Sequence, residues 1–228
     1  KDGEAASKRL FPDALWVEYI DAGYTLCMEL KGRIDQYKAE HGGVPKLIML
    51  KNHGVFVSGD TADEIRSLYA GVIDPLRAEY DSLGVNEDLG IEETGQDPET
   101  ESKIRQVFGE DAQFIDSSGL FECVPGPITP DHLVYARAYP FRDELTQGNA
   151  DDYRAKHGFA PKVVVHGGRV YGLGVTEKNA GLALLFAQDA AQVMKLSHAF
   201  GGLEYMSDRA REFIENWEVE SYRQTVAS

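Results

Sequence analysis

An α/β fold is what this sequence predicts, and three observations carry the prediction. Short apolar runs come in pairs, each pair joined by a glycine-bearing turn, as in hairpins. Each pair is followed by a stretch with helical apolar spacing. Apolar residues make up 43% of the chain, enough to build a real core in a single domain spanning residues 1–228.

The elements follow in order. Residues 16–20, Trp-Val-Glu-Tyr-Ile, read as a short extended segment. Asp21 is placed to cap a helix whose one face carries Leu26, Leu30, Ile34 and Tyr37. Gly42-Gly43 ends that helix, and Pro45 opens the strand Leu47-Ile48-Met49-Leu50. The turn Asn52-His53-Gly54 leads into Val55-Phe56-Val57. Thr61-Ala62-Asp63-Glu64 then forms a capping box, opening a helix that buries Ile65, Leu68, Tyr69, Val72, Ile73 and Leu76.

Residues 86–122 hold eleven acidic residues and two basic ones, so they read as an acidic insertion or exposed connection, with a short helix over 102–109. Beyond them the pattern of residues 45–80 recurs over 161–200. Pro161-Lys162-Val163-Val164-Val165 echoes Pro45 to Leu50, Val170 to Thr176 echoes Val55 to Thr61, and a helix follows each. Chance similarity of two hairpin–helix units is the competing explanation. In this alignment His53 falls on Gly168, so the second turn offers no ligand there. Arg169 at that turn is a candidate anion contact, and His166, two positions before Gly168, shares the face of Gly168 by alternation. Gly167-Gly168 and Gly172-x-Gly174 do not make the G-x-G-x-x-G of a dinucleotide site. His132 follows Thr129-Pro130-Asp131, where Asp131 could orient it. Ser207 is an N-cap for a final helix with Ala210, Phe213, Ile214, Trp217 and Tyr222 on one stripe, suited to core or subunit packing.

The formal net charge of −15 argues against nucleic acid, which requires basic surface. It also means that an anionic substrate needs a local cationic pocket. No stretch approaches the ~20 apolar residues of a membrane helix, so no membrane partner is expected. The two cysteines, Cys27 and Cys123, sit in unrelated contexts, which fits a reducing cytoplasm.

The stretch with the sharpest chemistry is Lys46 to Glu64, KLIMLKNHGVFVSGDTADE. A strand carries His53 to its end, where the backbone turns at Gly54. An imidazole there suits a metal ligand or a catalytic base; a histidine hydrogen-bonded within its turn is the other reading. The N-H-G turn followed by S-G-D-T-x-x-E resembles the class II aldolase/adducin family. Tyr19-Ile20-Asp21-Ala22-Gly23-Tyr24, Gly126-Pro127-Ile128-Thr129-Pro130-Asp131-His132 and Glu212-Phe213-Ile214-Glu215-Asn216-Trp217 resemble its long, rhamnulose-phosphate-aldolase-like branch. The resemblance runs from about residue 17 to 223.

The resemblance implies a layered α/β/α domain with a mixed, largely antiparallel central sheet, and a homo-oligomer. It implies a zinc-dependent aldolase that cleaves a ketose 1-phosphate or related sugar by retro-aldol chemistry, zinc stabilising the enediolate as a Lewis acid. His53 carries over as one zinc ligand. Asn52 and Lys51 flank it, with Asn52 a candidate for contacting substrate. The family also contains sugar-phosphate epimerases and, in its adducin branch, a non-catalytic interaction module. Its other metal histidines form an H-x-H pair upstream of this turn, and this chain, which starts at Lys1, has no H-x-H. The expectation is therefore a C-terminal portion of a longer polypeptide, with the acid/base glutamate and phosphate loop upstream. A chain that natively lacks the pair would fit the module.

Overall fold

The computed structural model describes residues 1–217, and Tyr222 of the final stripe lies outside them. The chain is mixed helix and strand, 51% helical and 13% strand, so two small sheets are covered by longer helices. Where the sequence reads as one domain, the chain divides into two compact units. One is Lys1–Asn86 with Lys195–Glu204; the other is Glu87–Met194 with the chain from Tyr205.

The first unit opens with α1 (Gly3–Leu10) and β1 (Leu15–Val17). Helix α2 (Tyr24–His41) then crosses to β2 (Leu47–Leu50), which lies parallel to β1, as a parallel pair requires of its connection. A tight turn sends β3 (Gly54–Val57) back antiparallel to β2, giving the sheet order β1-β2-β3. Leu26, Leu30 and Ile34 of α2 pack on Val17, Ile48 and Leu50, as the helical spacing predicts. Tyr37 does not join them; its hydroxyl donates to Asp13 O at 2.8 Å and its ring stacks on His41. Asp21 does not cap α2, because Gly23, at φ 94°, holds the N-cap place and the helix starts at Tyr24. Helix α3 (Ala62–Ser82) begins at Thr61, whose hydroxyl accepts from Glu64 N at 3.1 Å. Glu64 answers one residue earlier than in a reciprocal box, accepting from Asp60 N, and also binds Lys46.

The second unit contains α4 (Pro98–Phe108), a 3-10 turn and β4 (Phe114–Gly119). It continues through α5 (Pro130–Tyr135), α6 (Gln147–His157), the hairpin β5 (Val163–His166) and β6 (Arg169–Gly174), α7 (Glu177–Ser197) and α8 (Asp208–Glu215). Strand β6 is central, antiparallel to both β4 and β5.

Alternation splits the apolar residues between two faces. Val164, Tyr171 and Leu173 face Ile104 and Phe108 of α4, Phe141, and Tyr153 of α6. Val163 and Val170 face Leu184, Ala187 and Ala191 of α7. On that second face Gly172 and Gly174 serve close approach: a Cβ on Gly172 would lie 2.4 Å from Ala180 O and 2.7 Å from Leu184 N. The glycine pair is thus a seat for a helix.

The acid-rich segment is corrected by this arrangement. It supplies β4 and the buried Ile104, Val107 and Phe108, so it belongs to the core of the second unit instead of standing outside it. Its acidic residues occupy other positions: Asp97 accepts from Thr100 N at 3.1 Å at the start of α4, and Glu99 and Glu101 sit in the first turn, where the helix dipole favours them.

Both repeated segments, 45–80 and 161–200, are antiparallel hairpins followed by a 21-residue helix.

Candidate functional site

In the first unit, β2 delivers His53 to an exposed turn. Asn52 adopts φ 52°, a left-handed conformation that asparagine tolerates better than most residues. Its side-chain amide donates to Glu204 O at 2.8 Å. Lys51 bridges Glu18 at 3.1 Å and Glu204 at 2.8 Å, and the hydrogen bond it donates to Glu204 raises its pKa. The turn is therefore held from both flanks. His53 N donates to Leu50 O at 3.2 Å, while its imidazole makes no hydrogen bond among the described residues. Asn52, the candidate substrate contact, uses its amide to hold the turn that carries His53.

No three His, Cys, Asp or Glu side chains among the described residues come together in a way that could hold a metal ion. His53 thus belongs to no group of metal donors among the described residues, and one imidazole does not define a zinc site.

Arg169, read from sequence as a turn arginine able to meet an anion, is buried. Its guanidinium donates to Gly95 O and to Ser117 Oγ, the latter at 2.9 Å, and lies 5.8 Å from the Tyr171 ring. It ties the loop before α4 to β4 and β6. Arg169→Met is expected to cost about 2–3 kcal/mol in urea unfolding, because it strands the Gly95 carbonyl and the Ser117 hydroxyl.

His132 is oriented by two groups, neither of which is Asp131. Nε2 meets Asp189 Oδ2 of α7 at 3.0 Å, and Nδ1 meets Thr129 Oγ1 at 2.7 Å. With Nε2–H donating to the carboxylate, Nδ1 accepts the threonine proton. Burial, partly opposed by Asp189, holds this imidazole below the usual histidine range. Thr129 is also the N-cap of α5, so the set clamps α5 to α7. Beside it lies Cys123, whose thiol burial pushes up to about 11 and so keeps protonated and inert.

A different cluster opens to solvent in the second unit. Arg142, Lys156, His157 and Arg211 line a cleft of about 510 Å³, with Tyr139 and Pro140 in its wall and Asp143 at its rim. A second hollow of about 410 Å³ shares Lys156, His157 and Arg211 and adds Arg137 and Glu215. His157 is sandwiched by rings, 4.7 Å from Tyr139 and 4.4 Å from Tyr153. Its pKa is lowered by burial and then by the charges of Lys156 and Arg211, so the local potential is positive in a chain of net charge −15. Sequence reading passed over this cluster because its members come from three separated segments.

No helix among the described residues is long and apolar enough to cross a membrane. No protein family, curated protein or solved structure matches this chain.

Proposed function

We propose that this chain is part of a zinc-dependent aldolase of the class II aldolase/adducin kind. It would act by retro-aldol cleavage on a ketose 1-phosphate or related sugar. In this reading the two units belong to the family's layered α/β/α domain, and the enzyme is a cytoplasmic homo-oligomer. One observation supports it above the others. His53 stands at the end of a sheet strand, in a turn pinned by Asn52 and Lys51, with an exposed imidazole that no neighbour among the described residues engages. A rigid platform under an uncommitted imidazole is what a metal ligand needs.

Bound zinc would supply Lewis-acid stabilisation of the enediolate. The part of the work that falls to these residues is narrower. Asn52 and Lys51 hold the turn backbone from which His53 is presented. The remaining ligands come from outside the described residues.

The test is zinc content of the intact natural polypeptide. About one zinc per chain is expected, as a catalytic site requires. His53→Ala should abolish stoichiometric zinc and the cleavage of ketose phosphates while leaving the unfolding transition in place, since an exposed imidazole contributes little to the core. A metal-free protein, or an alanine variant that keeps its zinc, would sink the reading and favour a non-catalytic adducin-like module. Zinc retained with exchange of substrate stereochemistry and no net cleavage would favour an epimerase.

A further inference from the structure

We infer that the cleft between α6, α8 and the segment after α5 binds a phosphorylated sugar, with Arg142 and Lys156 meeting the phosphate and Asp143 the hydroxyls. All residues of this cleft belong to the second unit, and the assignment does not rest on the zinc reading.

Four features converge. The cleft, about 510 Å³, is of the size that small-molecule sites occupy. Its cations differ in commitment. Arg211 is engaged by Glu215 at 2.5 Å and Glu212 at 3.2 Å, so it shapes the site instead of serving it. Lys156 has no carboxylate partner among the described residues, and Arg142 gives one Nη2 donor to Cys123 O at 2.8 Å. That bond braces the guanidinium and leaves its other donors without partners among the described residues, in the planar fork that suits phosphate oxygens. The walls supply what a sugar ring uses: Tyr139, Pro125 and Pro140 for its CH faces, and the Asp143 carboxylate for its hydroxyls.

Half-buried contacts brace the cleft and the adjoining hollow. Tyr153 OH donates to Tyr139 O at 2.5 Å, and Arg137, at φ 66°, places its guanidinium 4.3 Å from the Phe159 ring. A site held open without ligand loses little entropy on binding.

His157 is the built-in reporter. The charged and titratable groups around it are Lys156 on its own helix, Arg211, Glu212 and Glu215 of α8, Arg137, Arg142 and Asp143 of the cleft, and the Tyr139 and Tyr153 hydroxyls. A phosphate near Lys156 would offset the positive field and raise the His157 titration midpoint.

The experiment follows the His157 ring signal of the full chain by NMR, at constant ionic strength. Glucose 6-phosphate and glucose are the two probes. The phosphorylated sugar is expected to raise the midpoint saturably and glucose to leave it in place. Arg142→Gln and Lys156→Gln should each weaken the response by about tenfold or more, the loss of a charge-assisted contact. Lys178→Gln, on α7 against the opposite face of the sheet, should not. Because Arg142 and Lys156 are exposed, both variants keep the fold, which the unfolding transition verifies. Equal effects of both probes, an equal effect of potassium chloride, or unchanged binding in both glutamine variants would overturn the assignment.

Discussion

Gly172→Ala is expected to be among the most damaging single-methyl additions in this chain. The new carbon would sit 2.4 Å from Ala180 O, 2.7 Å from Leu184 N and 2.9 Å from Leu184 Cβ. Two of those three atoms are backbone, so no rotamer change relieves the clash; α7 must lift from the sheet. Overpacking against movable side chains costs about 1–3 kcal/mol, and against a helix backbone the loss should be about 3 kcal/mol or more. For a chain of this size that is a fall of roughly 6–12 °C in the thermal midpoint of the second unit. The control is Gly71→Ala, mid-helix in α3 with nothing within 4 Å of the added carbon. It should raise stability by up to about 1 kcal/mol, because alanine is the better helix former. If Gly172→Ala unfolds like the parent protein, α7 is not seated on β6 as described.

The second large effect is a pH dependence centred on Lys162. Its ammonium is buried beside the charge of Arg137, with one hydrogen bond to Val134 O at 2.8 Å, and burial lowers its pKa to about 7. The unfolded chain titrates near 10.5. Between those values the unfolded state binds the extra proton, so stability rises as pH rises from 7 towards 10.5; below 7 both states carry the proton and the full cost of burial stands. The slope should approach about 1.4 kcal/mol per pH unit. Cys123 works in the opposite sense, since its folded pKa of about 11 exceeds the ordinary 9.0 and erodes stability above pH 9. The clean window is therefore pH 7 to 9. There the difference in unfolding free energy between the parent and Lys162→Met should change by about 2–3 kcal/mol. The methionine variant should be the more stable at pH 7, because a buried unpaired charge is replaced by a volume-matched apolar chain. A pH-independent difference would show that the lysine is solvated in the folded state.

Local elements were legible because their causes are local. Both hairpins and the helices behind them follow from alternation, glycine turns and threonine caps within about twenty residues of chain. The N-H-G turn was legible as a place where an imidazole is presented. What escaped depends on partners far away in sequence. Strand β4 reads as Phe-Ile-Asp-Ser-Ser-Gly inside an acid-rich segment, and only its pairing with β6 makes it a strand. Arg169 looked exposed because the carbonyl that binds it, Gly95, belongs to that same segment. His132 looked dependent on its neighbour Asp131, whereas the group that orients it, Asp189, sits 57 positions downstream. The cationic cleft draws on residues near 140, 156 and 211, a grouping that no spacing rule detects.

The order of the strands in the second sheet also sets a sequence of events in time. Strands β5 and β6 meet across a two-residue turn, Gly167-Gly168, whereas the β4–β6 pairing must close about 50 residues of chain, at an added entropic cost of roughly 2–3 kcal/mol. The hairpin and the first turns of α7, joined by the glycine seat, therefore form a nucleus that β4 can only join afterwards. Mutations on β5 and β6 should then slow folding, and those on β4 should chiefly hasten unfolding.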